Sequence, residues 1–126
     1  MNIQLENWKI QNLNFEIIDK DDFRKDGEFG LKTGQIYPDD DKKHFFIMFD
    51  VELKDKIFDF RFEAMFIFKI DEDITEDFKI SNFPKINAPA IAFPFLRAYI
   101  SNFTLQSGFE PVILPSINFV KLAEDD

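Results

Sequence analysis

The chain has 126 residues, with 24 acidic and 15 basic side chains, a formal net charge of −9 and a pI near 4.6. That balance argues against nucleic acid as a partner, because neutralising phosphates needs clustered Lys and Arg, and with no cysteine in the sequence disulfides, thiolate metal sites and a cysteine nucleophile are excluded. One globular domain over residues 1–126 is expected from length and a 45% apolar content.

Phenylalanine is the outlier: 18 Phe stand beside two Tyr and one Trp. So much ring area with so little polar handle exceeds what a small monomer hides, and implies a self-interface or an apolar binding face. The acidity then keeps a Phe-rich chain soluble.

In chain order, the first stretch, MNIQLENWKI, lacks a positive segment followed by an apolar one. No secretory signal is therefore expected. No apolar run approaches ~18 residues, so no membrane insertion is expected either, and the cytoplasm is the expected compartment. Residues 3–18 read as a strand. Leu13, Phe15 and Ile17 share one parity while Trp8 and Ile10 share the other, so a bulge near Gln11–Asn12 is required to keep one apolar face. Residues 19–44 are polar and turn-rich, with a short strand at Phe29–Tyr37.

Residues 45–70 alternate most clearly. Phe45, Ile47, Phe49, Val51 and Leu53 lie on one face, then Phe58, Phe60, Phe62, Ala64, Phe66, Phe68 and Ile70; Asp50, Glu52, Arg61, Glu63 and Lys69 lie on the other. This spells a long two-faced antiparallel hairpin turning near Lys54–Lys56. Residues 71–88 read as a polar turn followed by an irregular segment holding Phe78, Phe83 and Ile86. A helix is expected from about Pro94 to Ser107, because proline suits a first turn and not an interior, with Gly108 as its stop. Its stripe of Leu96, Tyr99, Ile100 and Phe103 is widened by Phe95, Ala98 and Leu105, so it is contacted from more than one direction. Pro111 and Pro115 then force an extended path, and an acidic tail, Glu124–Asp126, closes the chain.

No residue set supports an enzyme. Asp39, Asp40, Asp41 and His44 match no defined metal spacing, Asp19–Gly27 lacks the ligand and glycine positions of a calcium loop, and His44 has no Ser or Cys in a nucleophile context. No metal, cofactor or catalytic residue is expected.

Residues 89–119 resemble the SecB family of bacterial protein-export chaperones. The family's helix begins with Pro, a large apolar residue, Phe-Pro-aromatic and Arg; here these are Pro89, Ile91, Phe93, Pro94, Phe95 and Arg97. Its later signature is met by Gly108, Phe109, Pro111, Ile113, Leu114, Pro115, Asn118 and Phe119. Phe15–Glu16 and Phe62–Glu63 resemble its first and last strands.

The resemblance implies an α+β fold, a four-stranded antiparallel sheet with one long helix packed on it, assembled into a dimer or homotetramer. It implies a chaperone that holds unfolded preproteins in apolar grooves without ATP for Sec-dependent export. Client-binding candidates are Trp8, Ile10, Leu13, Phe83, Ile86 and Tyr99. Interface candidates are Phe60, Phe62, Ala64, Phe66, Phe95, Tyr99 and Phe103. Glu16 and Glu63 match acidic positions where the SecA motor docks, whereas Asn12 and Arg61 stand where an acidic and an apolar residue are expected. The family's second helix is expected to be missing or vestigial after Phe119. A second role stays open, that of a dedicated chaperone for one partner such as the antitoxin of a toxin–antitoxin pair.

Overall fold

A computed structural model describes residues 1–124; of the acidic tail, Asp125 and Asp126 lie outside the described residues. The chain divides into two compact units, Met1–Ile74 and a second beginning at Thr75. The first is a four-stranded, wholly antiparallel sheet of β1 (Ile3–Ile17), β2 (Glu28–Ile36), β3 (His44–Lys54) and β4 (Phe58–Ile70), in spatial order β1-β4-β3-β2.

The β3–β4 hairpin follows from the period-two pattern. Phe45, Ile47, Phe49, Val51 and Leu53 pair with Phe68, Phe66, Ala64, Phe62 and Phe60, and all ten are buried. Each buried Phe contributes about 1.5–3 kcal/mol, so one sheet face carries most of this unit's apolar stabilisation. The turn is tight, with Asp55 N–H donating to the Phe58 carbonyl at 2.9 Å. Arg24 locks the β1–β2 connection onto it, 2.7 Å from Asp59 and donating to the Asp55 carbonyl at 2.8 Å.

β1 departs from regular pairing twice. Between Gln11 and Asn14 one extra residue is inserted opposite Phe62, and Asn12 takes the left-handed φ of 52°. This is the bulge that the parity change requires. Phe15 and Ile17 then share the face of Trp8 and Ile10, opposite Phe60, Phe58, Phe66 and Ala64. A second extra residue lies at Glu6, between Leu5 and Asn7, where no bulge was expected.

The second unit holds α1 (Glu76–Lys79), α2 (Ala88–Gln106) and α3 (Phe119–Glu124). The segment expected to be irregular is partly helical. Thr75 caps α1 by accepting from Phe78 N–H at 3.1 Å, and Phe83–Asn87 form a wide π-type turn running directly into α2. α2 therefore begins six residues before Pro94, which lies inside it. Pro84 and Pro89 occupy first turns, where the missing N–H costs nothing. Ala88, Ala90 and Ala92 favour helix strongly enough to carry it through the bond lost at Pro94. The stop is as expected: Gly108 has φ +96°, and Phe109 N–H reaches back to the Thr104 carbonyl at 3.0 Å. Residues 110–118 have no regular structure, and α3 is six residues long among the described residues.

Candidate functional site

α2 is apolar on two sides. Ala88, Ala92, Leu96, Ile100 and Thr104 recur every four residues and are buried. One residue earlier, Ile91, Phe95, Tyr99 and Phe103 make a second stripe that is exposed or half-buried, with Phe95 48% exposed. Residues four apart share a helix face, so the second stripe is one continuous apolar strip. The Tyr99 and Phe103 rings lie 5.9 Å apart, and burial raises the Tyr99 pKa. Phe83 and Ile86 sit on the π-type turn before α2, Phe83 with its ring 6.1 Å from that of Phe78.

Two hydroxyls that the sequence reading missed hold the proline-flanked segment to α2. Ser101 Oγ donates to the Val112 carbonyl at 2.6 Å, and Thr104 Oγ1 accepts from Val112 N–H at 3.0 Å while donating to the Ile100 carbonyl at 2.9 Å. Strapped in this way, Leu114 is buried and Ile113 is left 79% exposed. The signal was a Ser and a Thr three apart on an otherwise apolar helix, a spacing that puts both on one side. Beyond the strap, the Phe93 and Phe119 rings meet edge-to-face at 5.5 Å and fix the start of α3.

In the sheet unit, Trp8 stacks on Phe66 at 4.9 Å and Ile10 lies opposite Ala64, so these two client candidates share one half-buried row. Leu13 does not join them; it sits in the bulge, 40% exposed. Of the interface candidates, Phe60, Phe62, Ala64 and Phe66 are fully buried within the single chain, so they have no side-chain area left to give a neighbour. Phe95, Tyr99 and Phe103 retain such area.

The other sheet face is charged. Glu16 lies opposite Asp59, Asn14 opposite Arg61 and Gln11 opposite Glu63. Glu16 and Glu63 thus share this face, about 13 Å apart along the strands, with Arg61 between their rows. Asn12 Nδ2 donates to Glu63 Oε2 at 3.3 Å. At one end, His44 stands between two carboxylates, Nδ1 2.7 Å from Asp41 and Nε2 3.4 Å from Glu6. Backbone N–H donation from Lys43, with His44 adding to it, holds the Asp41 carboxyl below its ordinary range. Among the described residues no three His, Cys, Asp or Glu side chains gather as a metal-binding group. No helix of the described residues is long and apolar enough to cross a membrane.

Comparison with known proteins agrees with this architecture. A Protein-export protein SecB of Magnetococcus marinus is 30% identical over 103 residues, covering 75% of this chain and 62% of its own. That of Anaplasma phagocytophilum is 39% identical over 59 residues, covering 46% and 37%. The chain therefore spans less than two thirds of the length of these curated relatives. Among solved structures, the SecB-like chaperone of Mycobacterium tuberculosis in complex with a ChAD peptide from the HigA1 antitoxin superposes with a TM-score of 0.71 at 12% identity, covering 91% of this chain and 87% of its own. At that identity the likeness concerns the fold, α+β with a four-stranded antiparallel sheet and a long helix. SecB-family proteins are chaperones and not enzymes. The model of the family described as preprotein translocase subunit SecB matches residues 2–126, and the chain belongs to that family.

Proposed function

We propose that this protein is an ATP-independent holdase that binds non-native polypeptides and keeps them competent for Sec-dependent export from the cytoplasm. The observation that carries this reading is the second apolar stripe of α2, Ile91-Phe95-Tyr99-Phe103, left open on an acidic chain. Exposed apolar surface of this kind, rich in rings and poor in directional polar groups, binds many sequences weakly. Phe83, Ile86 and Tyr99 are the proposed client contacts of the helical unit, and Trp8, Ile10 and Leu13 those of the sheet unit. Phe95, Tyr99 and Phe103 also serve assembly into a dimer or tetramer. In the test, the purified protein is mixed with a denatured enzyme without nucleotide and light scattering is followed. Suppression at stoichiometric ratio is expected; undiminished aggregation at excess overturns the reading.

A second reading is a dedicated chaperone for one partner, such as an antitoxin. Arg61 favours it, because it sets a positive charge between Glu16 and Glu63, where the basic tail of a SecA motor would dock. Pull-down followed by competition separates the two. One saturable partner that generic unfolded protein does not displace favours the dedicated role, and free displacement favours the export role.

A further inference from the structure

Charge does not cover the whole outer face of the sheet. Alternation also puts Phe46 and Met48 of β3, Met65 and Ile67 of β4, and Ile36 and Gly34 of β2 on that face. They lie in two adjacent rows. Ile36, Phe46 and Ile67 are paired in one, and Gly34, Met48 and Met65 in the next. The four side chains from β3 and β4 are half-buried, and Ile36 is 45% exposed. Outward positions on a sheet with one solvated face are ordinarily polar, so these depart from the pattern. A contiguous apolar patch on an acidic chain marks a docking place.

Shape and charge both bear on what docks there. At the sheet edge the two rows are opposites. Ile36 projects, whereas a β-carbon added at Gly34 would meet no atom within 4 Å, and a shallow cavity of about 200 Å³ opens there beside Met48. Beyond the Gly34 row come Glu63 and Asp50, with Lys32 at the edge; beyond the Ile36 row comes Lys69, opposite His44. Lys69 is exposed, and neither it nor Asp50 makes an ion pair among the described residues. His44 is already held between Asp41 and Glu6, so Lys69 supplies the positive charge of its row. The patch thus has a projection and a pit in successive rows, with a base beyond one and an acid beyond the other. A dyad lying across the strands, between the two rows, sets each member of these pairs against the other, as an isologous contact requires.

We propose that this patch takes up a second copy of the chain, outer sheet face against outer sheet face. Two sheets pack about 10 Å apart with their strands aligned within about 30°. Ile36 of each copy then enters the space at Gly34 of the other. Phe46 meets the Met48 thioether of the other copy, a favourable sulfur–aromatic contact, and Lys69 comes over Glu63 of the other copy. A basic partner fits less well, because Lys69, Lys32 and Arg61 stand among the acids it would seek. Four strands by four rows span roughly 20 Å by 20 Å, short of the about 800 Å² per partner of a standard interface, so the contact is weak and forms as concentration rises. It is separate from the α2 stripe. It also hides Glu63, so a stacked chain withholds that carboxylate from any basic partner. Self-stacking is thereby a concentration-dependent mask on the outer sheet face.

The test uses the full-length chain, as wild type and as Phe95→Arg, in sedimentation equilibrium from about 10 μM to about 1 mM. Reversible association is expected in both, because the α2 stripe takes no part in it. Ile36→Lys should weaken it about ten-fold by setting a charge in the apolar contact. Glu63→Lys and Lys69→Glu should each weaken it about five-fold, and the two together should restore it to within about two-fold, since the pair is then inverted and not lost. None of these three side chains is buried, so the variants should fold, which circular dichroism checks. Sulfur gives a direct readout. As protein concentration rises, dilute hydrogen peroxide should oxidise Met48 and Met65 more slowly, with Met1, 68% exposed, as the internal reference. No association in Phe95→Arg, association indifferent to Ile36→Lys, methionine oxidation independent of concentration, or a double reversal no better than the singles overturns the inference. So does a chain that stays monomeric while an added lysine-rich peptide protects Met65, which makes the occupant a basic partner instead.

Discussion

Asn12 carries the bend that lets a strand of mixed parity keep one apolar face. Its φ of 52° lies in the left-handed region, which Asn tolerates and β-branched residues do not. Asn12→Val should cost about 1–2 kcal/mol in chemical denaturation, and Asn12→Gly should cost far less. This residue was legible because Trp8 and Ile10 disagree in parity with Phe15 and Ile17. The bulge at Glu6 was equally readable, since Ile3 and Leu5 disagree with Trp8, but that comparison rests on two residues at a strand end. Ionisable residues give a pH prediction at the same scale. Asp41 is held below its ordinary value of 3.8, so its contribution to stability is complete above that value and lost as pH falls through the folded-state pKa. Asp41→Asn should flatten the acid limb of a stability–pH curve. Burial pushes the Tyr37 hydroxyl up to about 12 and raises Tyr99 too. The neutral phenol is favoured in the fold, so this contribution is present below pH 10 and lost as pH rises towards 12. Tyrosinate absorbance should appear late, and Tyr37→Phe should remove its most alkaline step.

At the scale of elements, the strands were legible and the start of α2 was not. Period two over β3 and β4 is dictated by one buried face, and the structure keeps it without a shift. Proline misled the helix boundary. Pro94 argued for a beginning, yet three alanines and a wide π-type turn begin the helix six residues earlier and carry it through. α1 could have been found from Thr75, whose hydroxyl is three residues before the N–H it caps. The strap from α2 to Val112 depends on a tertiary match between two hydroxyls and one peptide unit, which no local pattern encodes. Thr104→Val leaves the half-buried Val112 N–H without its acceptor and should cost about 1–2 kcal/mol, with helix content retained by circular dichroism. Ser101→Ala, which is half-buried, should cost less.

For the whole molecule, the Phe excess resolves into two populations with different consequences. Phe62 is fully buried opposite Val51, so Phe62→Arg strands a charge in the apolar face and should unfold the protein, at about 3–5 kcal/mol. Phe95 is open on α2, so Phe95→Arg should leave the denaturation midpoint nearly unchanged, within about 0.5 kcal/mol. It should lower the mass in light scattering if that stripe joins subunits. A mass unchanged by Phe95→Arg would remove α2 from the proposed interface. The family was legible from two proline signatures that fall on one helix and the segment strapped to it. Which aromatic rings stay open was not, because alternation marks a buried face only where strands pair, and α2 is apolar on both sides.

The strap on Val112 also governs what the chain does when crowded with its own kind. Between Pro111 and Pro115, Val112-Ile113-Leu114 is an apolar run of the kind that joins cross-β aggregates when its backbone is free and no proline interrupts it. Both prolines lack an N–H, and Ser101 and Thr104 occupy both polar groups of Val112. A protein that must expose apolar side chains to do its work thus shows the Ile113 side chain while withholding much of the main chain around it. A passing chain can adhere there, but it finds few hydrogen bonds with which to propagate a fibril.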